Sequence, residues 1–533
     1  MKTAQQSKKL HTGKVVWLKT TESTGKDLQK ECVLRINQHV KKCITNSQAP
    51  NAGEKFFQAE KRIIQEAYQF GILLLQLFLV SAHYRLDYDK WLSGGKYYFN
   101  KILRYRTIKT FFGEVSYGRY YLARKTDEGG GIYPLDKDLA LTRDGFSPLV
   151  ISFVALLSTR MSFSSACDVF KRFCDWAPST EAVQRLVLGL GREANAYMAL
   201  PNERYANDGD FLVIEVDGKA TPTATEEELA KRRGKRKKDE GCRCGCQRHR
   251  GQCKRKNSKP RKRRAKGDKS KNGRSITLVA MYTLKRGEDG LLHGPINKKI
   301  WGSYARRDEI MKWARAQAII RGFDPETSQN IHIVMDGEKT LYTRLSEYFQ
   351  KATFALDIRH LEEKIWDVGR AFNNEGSEEL SQWVEGYRTL LYEGKAAQLI
   401  DEFKALLGTL SARAKRDEKK RDRLRDIVQY MDTRLQMMNY KRYIENDLAI
   451  ASGVIEGAVR YVIGERMDCS GMRWIPQKAE ALLHLRCIDI NGEWDRFFDW
   501  AYHRWADELA KGLDVLIRTD KGIDLGEKFA KAA

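Results

Sequence analysis

The chain lacks any run of the roughly 18 to 20 apolar residues that a membrane-spanning helix needs. Its longest candidate, Gly71-Ile-Leu-Leu-Leu-Gln-Leu-Phe-Leu-Val80, is short and sits inside a helical pattern, so no membrane association is expected. The first residues, Met1-Lys-Thr-Ala-Gln-Gln-Ser-Lys-Lys, are polar and hold no signal-peptide core, which points to the cytoplasm. Thiols there stay reduced, so the ten cysteines are not expected to form disulfides. Proline is missing from 360 to 445, which leaves that stretch free for long helices. Aromatic residues are missing from Lys231 to Arg274, which removes base stacking there as a way of holding nucleic acid.

Elsewhere apolar residues are plentiful, at 42% of the 533 residues with 10% aromatic. General disorder is excluded, and a chain of this length is expected to fold as several domains. The net charge of +25 is unevenly spread. From Lys231 to Arg274 there are 22 Lys or Arg against Asp239, Glu240 and Asp268, so this segment holds +19 and the rest only +6. A polyanion is the expected partner of that segment, bound through phosphates by counterion release, and a solvated loop is the alternative.

Periodicity divides the chain. An N-terminal helical region occupies 1–100, polar and mixed to residue 55 and then helical from Phe56 to Tyr84. Region 101–205 begins with a hairpin over Lys109 to Leu122 around Gly113. Two short helices follow, near Phe163 and Ser179, as either a helix-turn-helix DNA reader or a plain helical bundle. Residues 206–220 and 275–360 alternate strands and helices, which predicts an α/β core. Its strands are Phe211–Val216, Ser275–Leu284, Lys298–Ser303, Ile331–Met335 and Thr353–Asp357. Helices fall over Arg307–Arg321 and Thr340–Gln350. The basic, cysteine-rich stretch 221–274 interrupts the core, an all-helical block spans 361–445, and 446–533 supplies a last core helix (Gly453–Met467) and a helical tail.

Three constellations carry chemistry. In Val213-Ile-Glu-Val-Asp217-Gly and Ile333-Val-Met-Asp336-Gly-Glu an apolar strand runs into Asp-Gly. Ligands of open α/β sheets bind at the carboxyl ends of strands. Two such carboxylates with a third from a helix can hold two divalent ions about 3.5–4 Å apart, and hard oxygen ligands select Mg²⁺ or Mn²⁺. Ordinary turn chemistry is the competing reading. Next, Cys242, Cys244, Cys246, His249 and Cys253 crowd into twelve residues, enough donors for tetrahedral Zn²⁺ at a spacing unlike any standard finger; a reduced cysteine run is the alternative. Last come the basic clusters Lys254, Arg255 and Lys256, and Arg261, Lys262, Arg263 and Arg264, as candidate DNA-phosphate contacts.

Glu456 stands in the first turn of Gly453-Val-Ile-Glu-Gly-Ala-Val-Arg, where the helix dipole alone would favour an acid. This segment, with Glu465-Arg-Met, Ser470-Gly-Met-Arg-Trp474 and Leu485-Arg-Cys-Ile-Asp-Ile-Asn-Gly-Glu-Trp494, resembles the C-terminal signature of the ISKra family of bacterial insertion-sequence transposases. Phe112-Gly-Glu-Val-Ser-Tyr-Gly-Arg-Tyr-Tyr, Pro134-Leu-Asp-Lys-Asp-Leu, Val216-Asp-Gly, Met335-Asp-Gly-Glu and Leu356-Asp-Ile-Arg-His-Leu-Glu-Glu extend the resemblance in order. It implies an RNase H-like core and a catalytic triad of Asp217, Asp336 and Glu456, spaced 119 and 120 residues apart. It implies further a DNA transposase acting on element ends and target DNA, working as a homodimer or larger assembly in the bacterial nucleoid. Asp357 and His360 resemble an auxiliary Asp-x-x-His pair, either orienting a phosphate or capping the next helix. Arg473 is a candidate DNA contact, and Trp366 and Trp474 are more readily core residues. An RNase H-fold nuclease and a non-catalytic DNA-binding protein are the competing functions.

Overall fold

The computed structural model describes residues 25–49, 53–125, 130–200, 205, 207–229, 273–411, 415–469 and 472–525. The cysteine cluster Cys242–Cys253 and the basic run Lys254–Arg264 lie outside the described residues. The chain is mixed α/β and divides into two compact units. One comprises the chain up to Tyr197 together with Glu493–Lys521; the other is Met198–Gly492 with the residues from Gly522 on.

The first unit opens with helix α1 (Gly25–Gln48), which a thin apolar face concealed in the sequence. Its Leu28 and Cys32 pack on a core shared with α2 (Phe56–Arg85). By length and composition α2 could cross a membrane, contrary to the expectation from run length alone. The run is interrupted by residues such as Gln76, yet the window as a whole is apolar. The hairpin β1 (Tyr97–Thr110) and β2 (Gly113–Arg124) turns as expected, with Thr110 opposite Gly113. It brings Ile108, Val115 and Tyr117 onto Ile72, Leu79 and Val80 of α2 in one core.

A two-residue strand β3 (Gly131–Ile132) extends the hairpin sheet. Helices α3 (Pro134–Asp138), α4 (Pro148–Arg160), α5 (Phe163–Cys174) and α6 (Thr180–Ala199) follow. Ser147 and Ser162 cap α4 and α5 through their hydroxyls, and Ser179 accepts from the Ala182 amide in the same way. The second of the two expected short helices is 20 residues long. Its exposed residues are Thr180, Glu181, Gln184 and Arg192, with Arg185 partly accessible, and Val183, Leu186, Val187 and Leu190 are buried. The helix Trp494–Ala510, expected as part of a C-terminal tail, belongs to this unit: Trp494 Nε1 donates to Ser152 Oγ at 3.0 Å and Arg504 pairs with Glu193 at 2.7 Å.

The second unit is built on a five-stranded sheet in the order β6-β5-β4-β7-β8. Strands β4 (Phe211–Pro222), β5 (Gly273–Arg286) and β6 (Leu292–Ser303) form an antiparallel meander, so the basic insertion occupies the β4–β5 hairpin connection. Helix α7 (Arg307–Ile320) leads to β7 (Ile331–Met335), which pairs parallel with β4. Helix α8 (Lys339–Tyr348) leads to β8 (Thr353–Leu356), parallel to β7. The buried faces of β4 and β7 carry the apolar residues that marked them in the sequence.

Beyond β8 come α9 (Ile358–Phe372), α10 (Glu378–Tyr392), α11 (Ala396–Thr409), α12 (Lys415–Asp432) and α13 (Tyr440–Glu445), the expected helical block. Tyr440 and Tyr443 of α13 donate to the Leu356 and Phe354 carbonyls at 2.8 Å, sealing the exposed rim of edge strand β8. The expected helix 453–467 is three pieces: α14 (Gly453–Ala458), a π-helical stretch Val459–Gly464 and a closing turn Glu465–Met467. Arg486 of α15 (Pro476–Ile490) donates to the carbonyls of Tyr461 and Val462, satisfying groups that the π stretch leaves out of register.

Candidate functional site

Asp217 is not at the end of its strand. β4 runs five residues further, still paired to β5 as far as Pro222 opposite Gly273. The strand that stops is the neighbour: β7 pairs with β4 only through Val216 opposite Met335, and Asp336 follows at once. The two aspartates therefore stand side by side where the parallel part of the sheet ends and β4 continues alone. At about 3.4 Å per residue, the root of the basic insertion lies roughly 17 Å along β4 from Asp217.

Residues two apart on a strand share a face, so Glu215 and Asp217 point the same way. Glu215 is wholly buried. It accepts the Tyr282 hydroxyl at 2.7 Å and the Ile455 amide at 2.8 Å. This carboxylate thus ties the first turn of α14 to β4, one residue before Glu456. Burial raises its pKa above the ordinary carboxylate value despite those bonds. A charged residue in the apolar run Val213-Ile-Glu-Val was the visible signal in the sequence, since buried charges persist only with partners.

Asp357 closes the group. It is fully buried at the start of α9, accepting the Arg359 amide at 2.8 Å and the Ser452 hydroxyl. The capping residue is therefore Asp357, not His360. His360 Nδ1 lies 3.0 Å from Asp357 Oδ2. That hydrogen bond, with the further pull of Asp336, raises the imidazole pKa to about 9, so His360 is cationic at neutral pH. Burial alone would raise Asp357, but the bonds from His360, Ser452 and the Arg359 amide bring it below the usual value.

Asp217 and Glu456 shift the other way. Burial raises Asp217, and the charges of Asp336 and Asp357 raise it further. Burial also raises Glu456, reinforced by Asp357 and Asp217. Four carboxylates therefore act on one another around a single imidazolium, a surplus of negative charge that a divalent cation would relieve. Ligand atoms of Asp357, His360 and Glu456 lie within 4.8 Å of one another, so this trio could hold an ion once His360 gives up its proton; the expected set Asp217, Asp336 and Glu456 is not gathered that closely. The oxygen-rich donor set fits Mg²⁺ or Mn²⁺.

The loop after β7 is fixed from outside. Gly337 has φ +77°, where a side chain would be strained and would meet Leu356 and Arg434. The Tyr430 hydroxyl donates to the Asp336 carbonyl at 2.5 Å, and Arg434 donates to the Gly337 carbonyl. Arg307 forks onto Glu338, at 2.5 and 2.7 Å, and its charge reaches Asp336. Gly337 and Glu338 stood in the Asp336-Gly-Glu motif, but Arg307, Tyr430 and Arg434 were not flagged by the sequence, because their roles depend on groups brought close only by folding. Arg473 is half-buried beside Trp474, whose backbone bonds to Pro222 and Ala224; among the described residues no interaction joins it to the carboxylates. Trp366 and Trp474 are half-buried, Trp474 donating to the Met467 carbonyl at 2.8 Å.

No protein-family model matches the chain, and no curated protein matches it in sequence.

Proposed function

We propose that the chain is a DNA transposase of RNase H-like architecture, in which Asp217, Asp336 and Glu456 hold Mg²⁺ or Mn²⁺ against a DNA phosphodiester. One observation carries the reading: Asp217 in the central strand stands beside Asp336, which follows the end of its parallel neighbour, and Glu456 opens a later helix tied to the same strand through Glu215. The sheet supports it, with its first strand in the centre, three antiparallel strands and then two parallel ones reached through helices. When bound, a pair of such ions activates the attacking oxygen and neutralises the leaving one.

The chain's own residues supply position and charge. Glu215 and Ser452 hold the turn that presents Glu456. Tyr430 and Arg434 fix the loop that presents Asp336. His360, kept cationic through Nδ1, retains Nε2–H as a donor for a phosphate oxygen. The first step is hydrolysis, freeing a 3′-OH at an element end. In the second, that hydroxyl attacks a phosphodiester of target DNA in line, forming the new phosphodiester and releasing the target strand's own 3′-OH. The segment 231–274 contributes phosphate contacts, with four of Cys242, Cys244, Cys246, His249 and Cys253 as its zinc ligands, and the protein acts as a dimer or larger.

The test is incubation of the protein with Mg²⁺ and DNA carrying the sequences that flank its own gene. Cleavage followed by joining is expected. Cleavage without joining would make it a nuclease, and binding without cleavage a non-catalytic DNA-binding protein.

A further inference from the structure

The first unit contains a second charged site that this chemistry does not use. A cavity of about 400 Å³ is lined by Arg106, Arg119, Lys137 and Arg143 against only Asp136 and Asp514. Two sequence motifs, Tyr117-Gly-Arg-Tyr-Tyr121 on β2 and Pro134-Leu-Asp-Lys137 on α3, meet here. Asp136 is buried and accepts from Arg106 at 2.8 Å, from the Tyr117 hydroxyl at 2.7 Å and from Arg119. One carboxylate thus serves two guanidinium groups. Asp514 is likewise shared, by Lys137 at 2.6 Å and Arg143 at 3.2 Å.

Arg119 is the least satisfied member. It lies 3.5 Å from the centroid of the Tyr133 ring, and its buried Nε has no hydrogen-bond partner among the described residues. Burial, together with the charges of Arg106 and Arg104, pulls its pKa below the usual guanidinium value. A β-carbon at Gly131 would strike the Tyr121 ring and the Leu122 carbonyl, so the wall of the cavity needs glycine at that position. Clustered guanidiniums short of anions, around a space too large for one water molecule, match the forked geometry that recognises phosphate oxygens.

We propose that this cavity seats a phosphate group with its attached sugar from a DNA strand, held by Arg119, Arg106 and Arg143. The choice of DNA over a small phosphate ester rests on the function proposed above. Arg143 sits at the exposed rim, with two thirds of its side chain accessible, so Arg143→Glu leaves the buried cluster intact. Arg119→Lys keeps the charge but removes the fork.

The experiment is amide hydrogen exchange on the full chain in EDTA, with a short DNA duplex or with inorganic phosphate added. With DNA, protection is expected over Tyr117–Tyr121 and Tyr133–Lys137, at least about tenfold weaker in affinity for either variant. Protection by phosphate but not by DNA would support the pocket and assign it a free phosphate ester. No protection by either, or protection unchanged in both variants, would overturn the proposal. Because EDTA removes the strand chemistry, a failed cleavage assay leaves this result standing, and intact cleavage does not rescue it.

Discussion

The charged sites of the two units are opposites. In the first, four basic side chains line a cavity with two carboxylates; in the second, four carboxylates influence one another around a single imidazolium. In the second, Asp357 is fully buried and Asp217 and Asp336 half-buried while Glu456 is exposed, so water screens the imbalance least around Asp357. On the function proposed above, DNA would bring the anion to the first site and a divalent metal would be the cation of the second.

The comparison breaks most sharply at the acidic site. Asp217→Asn, Asp336→Asn and Glu456→Gln are each expected to lower strand cleavage at least about a hundredfold while DNA binding survives. Ordinary cleavage by any of the three would remove that residue from the site. Glu215→Gln keeps the shape but weakens the tie to the Ile455 amide, and a loss of about 10- to 100-fold in metal affinity is expected. Manganese titration of the variant measures it; unchanged affinity would make Glu215 a fold residue only.

Smaller effects follow from protons. His360 has a folded pKa near 9, above the ordinary value of about 6.5, so its contribution to stability is complete below pH ~6.5 and is lost as pH rises through 9. Proton NMR should place its midpoint near 9, and Asp357→Asn should bring it back toward the ordinary value; a midpoint unmoved by that change would refute the pairing. His83 in the first unit and His332 in the second behave oppositely, since burial lowers both to about 4. Both favour the folded state fully above pH ~6.5 and lose that contribution as pH falls toward 4. Thermal melts from pH 7 to 4 should show both units weakening, and His83→Phe should blunt the fall.

Much of this was legible in the residues. Strand β7 and helix α2 were marked by their apolar residues to within a residue; β7 buries all five of its residues, whereas α2 buries Ile72, Leu79 and Val80 and leaves Ile63, Ile64 and Leu74 exposed. Asp217 and Asp336 were found as acids following apolar strands. The extension of β4 past Asp217 was hidden, since Lys219 and Thr221 break the apolar run while the β5 ladder carries it on. Glu456 was located by motif, but its company of Asp357 and His360 depends on a loop pinned by Ser452 and by His332, which lies 2.7 Å from the Ala449 carbonyl. Nor could spacing reveal that the Trp494–Ala510 helix returns to the first unit. The basic pocket was present as two motifs without a stated role, because the Arg119–Asp136 pairing exists only after β2 and α3 come together.

The most direct measurement is anomalous X-ray scattering from crystals grown with Mn²⁺. Peaks between Asp217 and Asp336, with Glu456 as a shared ligand, are predicted, and they should vanish in Asp217→Asn. An ion held only by Asp357, His360 and Glu456, or no ion among these carboxylates, would contradict the account.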